Sequence, residues 1–382
     1  MANTLGVYNP VFYAQEALMQ LEKSLGMANR VYMGYDSERK SFGLGETINI
    51  RKPSTFTVAA APATAEDATT QTVSMTLDNW REVKFKLSDK ELAFTGERII
   101  ADHIRPAAYA LANDIDTKLT ALTVGIGNQA AAGAAWSPAV ITAGRNRLFD
   151  QSVPLHSGDM HCMVGGAEEA DLLANAAFAQ YQGAGISGVD TQMRGTLGTK
   201  YGFEFFSNQN TITSVASTPT DLAGAVDLAA GYAKNATTIH VDGLGDVVHE
   251  KGMGVSFAGH SKIYALAGDR TPSGAEVDFV LTEGLQEAVV DDEVVTLHST
   301  IVGNQNLMFH KNAFGLVMAP LSEMGNELGA NIATVQDPVT GLAIRSRVYY
   351  VGNSSEVHVA LDCLYGVKTL DSQLAARIAG NG

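Results

Sequence analysis

The sequence is poor in cysteine and has no long apolar run. Its 382 residues contain two cysteines, Cys162 and Cys363, which are too few for the disulfide framework of a small secreted protein. Residues 1–6 lack the charged and apolar regions of a signal peptide. No apolar run approaches the roughly 18 residues that a membrane span needs. These absences predict a soluble protein that is made in a reducing cytoplasm and does not enter a membrane.

Charged residues are also scarce, and most of them are acidic. They make up 18% of the chain, against about a quarter in a typical soluble protein, and the formal net charge is −15. Non-specific affinity for nucleic acid comes largely from clustered lysine and arginine, and the sequence has no basic run interleaved with aromatic residues. The charge therefore excludes a module that reads DNA, but it leaves open a wall that encloses DNA without adhering to it.

The N-terminal part of the chain predicts a helix followed by a long β-hairpin. Apolar residues between positions 11 and 25 recur at helical spacing. Residues 47–52 and 73–77 alternate as strands do, on either side of a small, polar tip at residues 59–70, and residues 83–87 alternate again. A lone projecting hairpin is marginally stable in water, so we expect this one to need a partner surface. The short helix packs either on its own domain or on a neighbouring molecule.

The strongest helical pattern covers residues 97–124, where apolar residues lie three and four positions apart over many turns. Pro106 lies inside this pattern, and a proline inside a helix removes a backbone hydrogen bond and bends the helix. We predict one long helix with a kink, about 40 Å long at 1.5 Å per residue. The alternative is a helix that starts again at Pro106.

The segments after this helix predict a mixed region of short elements. They are a buried strand at residues 159–164, a helix from 167 to 178, a long surface loop at 183–198 and a strand at 201–206. Near the C-terminus, residues 344–351 and 356–363 predict two long strands joined by a turn. A tail rich in small residues ends the chain.

A change in composition near residue 211 predicts a separate domain. Residues 211–220 are rich in threonine and serine and have the character of a linker. Five short alternations follow, separated by glycine and aspartate, at residues 238–241, 254–257, 263–266, 277–281 and 294–298. Short strands at this spacing are typical of a small antiparallel barrel, so we predict an inserted β-barrel over residues 211–303.

Four potential metal ligands lie close together in the sequence, namely His156, Asp159, His161 and Cys162. Their spacing fits no common zinc motif, and alternation along a strand places His161 and Cys162 on opposite faces. A buried strand preceded by a turn explains these residues better than a metal site does.

Three other segments have a partial likeness to known sites. In residues 254–262 (GVSFAGHSK) the lysine follows the serine and no helical pattern comes next, unlike in a phosphate-binding loop. The acidic residues 291–293 fit a solvated turn better than a catalytic carboxylate pair. Residues 249–252 lack the second histidine of a zinc-binding helix, and no Gly-x-Ser-x-Gly elbow occurs. The sequence therefore predicts no catalytic, cofactor-binding or metal site.

Six segments occur in an order that is found in one known family. They are residues 13–18 (YAQEAL), 45–53 (GETINIRKP), 77–85 (LDNWREVKF), 106–116, 251–259 (KGMGVSFAG) and 361–369 (LDCLYGVKT). In that order they resemble the N-terminal arm, the two ends of the extended loop, the spine helix, a strand and turn of the inserted barrel, and the closing strand of the major capsid proteins of tailed bacteriophages. Within that group the chain is most similar to the coat-protein family of short-tailed phages that has an inserted domain. The resemblance extends over nearly the whole chain.

The resemblance implies an α+β fold, the tailed-phage major capsid fold, with a small inserted β-barrel. The parts it implies are an N-terminal arm (residues 1–35), an extended β-hairpin loop (36–92), the spine helix with the first part of the peripheral and axial domains (93–210), the inserted barrel (211–303) and the rest of the axial and peripheral domains (304–382).

The resemblance also implies a structural protein and not an enzyme. Copies of the chain in pentamers and hexamers are then expected to form the icosahedral shell of a virion, assembled in the host cytoplasm with a scaffolding protein and a portal. The shell would enclose double-stranded DNA without sequence-specific binding, and it would contact no membrane.

Two other functions remain open at this point. One is an encapsulin-like compartment, although subunits of that type are usually shorter and lack the inserted barrel. The other is a metal-dependent hydrolase that uses the cluster at residues 156–162.

Overall fold

The structure is a computed structural model. It describes residues 10–24, 26–34, 47–52, 60–61, 65, 71–88, 103–130, 135–180, 186–214, 223–245, 247–298, 303–323, 331–337 and 342–380. The chain divides into two compact units, the first made of residues 1–116 and 315–370 and the second of residues 117–314 and 371–382. Each unit contains helices and sheets whose strands pair mostly antiparallel, which confirms the predicted α+β class.

The described residues form the following elements. The α-helices are α1 (Pro10–Ser24), α2 (Arg105–Ala121), α3 (Pro138–Asp150), α4 (Gly166–Ala174), α5 (Ala176–Ala179) and α6 (Ile186–Arg194). The first strands are β1 (Thr47–Lys52), β2 (Gln71–Thr76), β3 (Asn79–Ser88), β4 (Gln129–Ala130), β5 (Met160–Val164), β6 (Thr199–Lys200), β7 (Phe203–Ser207) and β8 (Ile212–Ser214). Next come β9 (Ala223–Val226), β10 (Thr238–Asp242), β11 (Gly254–Phe257), β12 (Tyr264–Ala265), β13 (Val277–Val280) and β14 (Val294–His298). The last are β15 (Gly303–His310), β16 (Phe314–Ala319), β17 (Asn331–Gln336), β18 (Ala343–Val351), β19 (Glu356–Thr369) and β20 (Ala375–Ala379). Short 3-10 helices lie at Ala28–Arg30, Leu122–Gly125, Lys311–Ala313 and Ser372–Leu374.

The first unit is built on a sheet of five strands. Its centre is the antiparallel pair of β18 and β19, which confirms the two long strands predicted at residues 344–351 and 356–363. β3 pairs with β19 along its whole length, from Asn79 opposite Tyr365 to Ser88 opposite Glu356. β17 pairs with β18, and β16 lies beside β19.

The N-terminal elements of the first unit follow the sequence pattern closely. α1 occupies the predicted helical segment. β1 and β2 pair antiparallel from Thr47 opposite Thr76 to Lys52 opposite Gln71, as predicted for the hairpin. Most of the predicted tip at residues 59–70 lies outside the described residues.

α2 covers only part of the predicted long helix. The α-helix begins at Arg105 and directly follows the π-helical residues 103 and 104, so Pro106 lies near the start of the described helical stretch. The choice between one kinked helix and a helix that starts again at Pro106 depends on residues 97–102, which lie outside the described residues. The 17 residues of α2 span about 26 Å.

The second unit contains a sheet of seven strands with β15 near its centre. β15 lies between β20 and β5, β7 pairs with β5 in parallel, and β8 also pairs with β15. The predicted strands at residues 159–164 and 201–206 are confirmed as β5 and β7. α3 approaches this sheet closely at Gly144, where an added Cβ would collide with Ile378 and Met308.

Two predictions in the second unit are wrong in part, and the C-terminal tail contains a strand that was not predicted. The predicted loop at residues 183–198 contains α6, an amphipathic helix with Thr191 buried and Met193 exposed. The predicted helix at residues 167–178 is divided at Asn175, whose Oδ1 accepts the N–H of Ala177 and so begins α5. The tail rich in small residues contains β20, a fully buried strand between β4 and β15 that also holds the large side chains of Arg377 and Ile378.

Residues 223–298 of the second unit form a six-stranded sheet in the order β12, β11, β14, β9, β10, β13. Its two outer strands meet at a bridge between Leu266 and Leu281, where Ala267 N–H donates to Val280 O at 2.8 Å and Thr282 N–H donates to Ala265 O at 2.9 Å. The sheet therefore closes on itself around an apolar interior that includes Phe257 and Phe279. Five of the six strands coincide with the predicted alternations, and the inserted domain with its boundaries at 211 and 303 stays a prediction.

Candidate assembly surfaces

The four predicted metal-ligand candidates do not converge. Cys162 lies in the apolar core of the second unit, and burial raises the pKa of its thiol. His161 lies on the opposite face of β5, with its Nδ1 3.0 Å from Glu204 Oε2, while His156 and Asp159 are exposed. Within the part of the chain that the structure describes, no three His, Cys, Asp or Glu side chains are placed to hold a metal ion.

The segment that resembles a phosphate-binding loop is a strand followed by a turn. Residues 254–257 are β11, and the turn after it includes Gly259 at φ +84°. Lys262 is nearly buried, and its Nζ lies 2.5 Å from Glu283 Oε2. This lysine is therefore engaged in an ion pair within its own unit.

The acidic residues 291–293 form a turn, as the sequence predicts. Asp291 Oδ1 accepts the N–H of Leu228 at 3.0 Å, and Glu293 Oε2 accepts the N–H of Val290 at 2.9 Å. Asp292 has φ 60°. The carboxylates thus stabilise the turn, and the side chains of Asp291 and Asp292 remain exposed.

His249, for which the sequence predicts no role, has an unusual environment in the second unit. Its side chain is fully buried, and neither ring nitrogen has a hydrogen-bond partner among the described residues. The ring packs edge-on against Phe279, with centroids 5.5 Å apart. Burial lowers the pKa of His249, because a charged imidazole would be poorly solvated there.

The base of the β1–β2 hairpin is anchored in the first unit. Ile48, Ile50 and Met75 are buried in one apolar cluster with Val317 and Ala319 of β16. On the other face, Ser74 Oγ donates to Asn49 Oδ1 at 2.7 Å and the two side chains are exposed. The described strands of the hairpin therefore do not depend on a partner, so any need for one concerns the tip.

The N-terminal helix also packs within the first unit. α1 contacts β17 and β18 through an inner face that contains Tyr13, Ala14, Ala17, Leu18 and Leu21, all buried. The chain after it is held by Asp116, whose carboxylate accepts the N–H of Gly26 at 2.7 Å and of Ala28 at 3.2 Å. Burial raises the pKa of Asp116, although these N–H groups act in the opposite direction.

Large apolar side chains remain on the surface of the isolated chain. Met193 on α6 is 79% exposed and Phe149 on α3 is 69% exposed. Others that are more than a third exposed are Val11, Met19, Trp80, Tyr109, Val189, Tyr201, Leu228, Val248, Val290, Val294 and Tyr350. Exposed apolar side chains that gather into a patch mark contact surfaces.

None of the described helices is long and apolar enough to cross a membrane.

The comparisons with known proteins bear on the fold. No protein-family model matches the sequence, and no curated protein matches it. A solved structure from Mycobacterium phage Che8 matches 93% of this chain and 90% of its own chain, at 15% identity and a TM-score of 0.51.

The chain has the tailed-phage capsid fold.

Two further structures with the capsid fold are similar at lower scores. The capsid structure of cyanophage P-SCSP1u matches 90% of this chain and 85% of its own, at 11% identity and a TM-score of 0.45. The mature capsid of bacteriophage PhiM1 matches 89% and 83%, at 12% identity and a TM-score of 0.47. The match to the Che8 structure confirms the capsid fold predicted from the sequence, while the domain boundaries at residues 35, 92, 210 and 303 stay predictions.

Proposed function

We propose that this chain is a major capsid protein whose copies assemble into the icosahedral shell of a tailed phage. The observation that carries this proposal is the extent of the fold. The match to the Che8 chain covers 93% of this chain, which leaves little sequence for a separate catalytic domain.

The surface of the chain supports assembly with protein partners. Charged residues make up only 18% of the sequence, and large apolar side chains such as Phe149 and Met193 are mostly exposed in the isolated chain. Contacts between copies would remove these side chains from water, which stabilises association by about 25 cal/mol for each Å² of apolar surface buried.

Closed shells need rings of subunits that meet at slightly different angles. The base of the β1–β2 hairpin is anchored in the first unit. We infer that the contacts which differ between rings involve residues 53–70 and the segment before α1, nearly all of which lie outside the described residues.

The partners that follow from this proposal are copies of the chain in pentamers and hexamers, a scaffolding protein and a portal. The shell would assemble in the host cytoplasm and form the capsid of the virion. With a net charge of −15, it would enclose double-stranded DNA by confinement and not by adhesion.

The test is negative-stain electron microscopy of the purified chain, alone and with the scaffolding protein of its phage. Closed icosahedral particles are expected. A chain that stays monomeric under every assembly condition while it turns over a substrate would contradict the proposal. Particles that form without scaffold and exclude nucleic acid would favour an encapsulin-like compartment.

A further inference from the structure

One end of the closed sheet in the second unit exposes an apolar patch. Two segments run side by side there, since Tyr232 N–H donates to Val289 O and Asp292 N–H donates to Val226 O, both at 2.9 Å. A Cβ on Gly231 would lie 3.2 Å from Val290 Cα, so the turn after Leu228 lies against Val290. Val294 begins the next strand, opposite Ala225.

Three large apolar side chains in these segments are exposed. Val290 is 65% exposed, Val294 53% and Leu228 39%. Ala229, Ala230, Ala258 and Ala288 around them are exposed as well, and Ala258 N–H donates to Val294 O. We call Leu228, Val290 and Val294 the Leu228 patch.

Carboxylates surround the Leu228 patch. Asp227 and Asp291 are exposed next to Leu228 and Val290, and Asp292 is exposed at the tip of the turn. Between positions 223 and 298 the sequence has twelve Asp and Glu against four Lys and Arg, a formal net charge of −8 out of −15 for the whole chain. The patch therefore lies in the most acidic part of the molecule.

We propose that the Leu228 patch binds a basic, amphipathic segment of a different protein. An apolar centre with a charged rim is the usual composition of a protein–protein contact. The occupant must bring apolar side chains for the centre and cations for the rim, because carboxylates that face an apolar or acidic surface would be desolvated without compensation.

Charge also argues against a second copy of this chain as the occupant. Each copy carries −15, so two copies repel each other at long range, most of all where residues 223–298 approach. This inference goes beyond the proposed shell function, since a shell subunit can assemble through other surfaces whether or not this patch is occupied.

The test measures binding of a labelled amphipathic peptide by the full-length chain. The probe is a helix of leucine and lysine, about 18 residues or five turns long, and a leucine–glutamate peptide is its counterpart. Fluorescence anisotropy is expected to show binding of the lysine peptide only, and the affinity should fall as salt screens the carboxylates.

Two variants test the patch itself. Val290→Ser with Val294→Ser removes two of the three apolar side chains, and Asp291→Asn with Asp292→Asn removes two of the three rim carboxylates. Each pair is expected to weaken binding about tenfold or more, as truncation of a contact centre does. Matched controls lie on the helices: Met193→Ser removes an exposed apolar side chain, and Asp150→Asn with Asp190→Asn removes the same charge.

Two results would overturn the proposal. One is equal weakening by the patch variants and their controls, which would mean that the peptide does not distinguish the patch from other exposed surface. The other is a change in the sedimentation coefficient of the chain without peptide when the patch is altered, which would identify a second copy as the occupant. Electron microscopy of the same variants keeps the two proposals apart, since normal particles from a chain that has lost peptide binding leave the shell function intact.

Discussion

Arg345 and Asp362 lie opposite each other on the paired strands β18 and β19 and form a two-point ion pair inside the first unit. Arg345 Nε lies 3.0 Å from Asp362 Oδ1, and Nη2 lies 2.6 Å from Oδ2. Trp80 Nε1 also donates to Oδ2 at 3.0 Å, which ties β3 to the same carboxylate. Asp362 is fully buried, so each of its partners replaces hydration that the carboxylate has lost.

Removing this carboxylate should destabilise the first unit strongly. Asp362→Leu leaves the buried Arg345 without its partner, at an expected cost of about 3–5 kcal/mol in the free energy of unfolding. Arg345→Met combined with Asp362→Leu should lose much less, because both members of the buried pair are removed and Arg347, which also contacts Asp362, keeps Glu82 as a partner. Urea denaturation of both variants and of the exposed-pair control Lys86→Met measures the difference. Equal losses for the single and double variants would show that the pair matters for its shape and not for its charge.

Gly252 and Gly259 form a matched pair for a test of packing. Both have φ +84°, so alanine at either position meets the same backbone strain of about 1–2 kcal/mol. A Cβ at Gly252 would also overlap the carbonyl oxygen of Val124, whereas a Cβ at Gly259 would meet no atom of the described residues within 4 Å. Gly252→Ala is therefore expected to lower the thermal midpoint clearly more than Gly259→Ala does. Similar midpoints would mean that the backbone near Val124 yields easily.

His249 should make the stability of the second unit depend on pH. Its pKa is lowered in the folded chain, so the unfolded chain binds the proton more tightly, with a pKa of about 6.5. The stabilisation is then complete above about pH 6.5 and is lost as the pH falls below that value. His298 and His310, whose pKa values burial also lowers, act in the same direction.

His249→Leu should flatten this dependence. At pH 7.5 the variant is expected to be at least as stable as the parent, because two buried ring nitrogens without partners are removed. Thermal midpoints between about pH 5.5 and about pH 7.5, one unit to either side of the free histidine value, measure the slope, with the exposed His156→Gln as control. An unchanged slope would assign the acid sensitivity to the other histidines.

The hairpin tip should be needed for assembly and not for folding. Removing residues 55–69 keeps β1 and β2, including the buried Met75, and leaves Pro53, Ser54 and Thr70 as the connection. The variant is expected to fold but to form few or no closed particles by electron microscopy. A glycine–serine segment of equal length in place of residues 55–69 tests whether side chains or length matter. Normal particles from the shortened chain would contradict the role of the tip.

The sequence pattern predicted the strands that have one apolar and one polar face. β10, β13 and β14 alternate buried positions with more exposed ones, so these strands were predictable. β9 was missed because Ala223–Val226 is nearly all glycine and alanine and shows no contrast. β15 was missed for another reason, since its polar residues Gln305 and Asn306 are buried and hydrogen-bonded and do not alternate with apolar ones.

The burial of His249 and the Leu228 patch could not be predicted from the sequence, because both depend on contacts between distant parts of the chain. Nothing in residues 249–252 indicates that His249 is fully enclosed, since that follows from where Phe279 packs. The Leu228 patch likewise needs residues 226–232 and 289–294 side by side. The sequence did predict the turn at residues 291–293, because a run of acidic residues is costly anywhere but at the surface.

The bridge between Leu266 and Leu281 removes the free edges of the six-stranded sheet, which affects how this sheet can interact with other chains. A sheet with open sides offers rows of free backbone groups onto which another chain can add. In the proposed shell, many identical subunits would lie close together, and open sheet edges would allow unwanted strand pairing between them. A six-stranded sheet that closes on itself has no free edge to which a strand of another chain could pair. Substitutions in its turns would therefore not create such an edge.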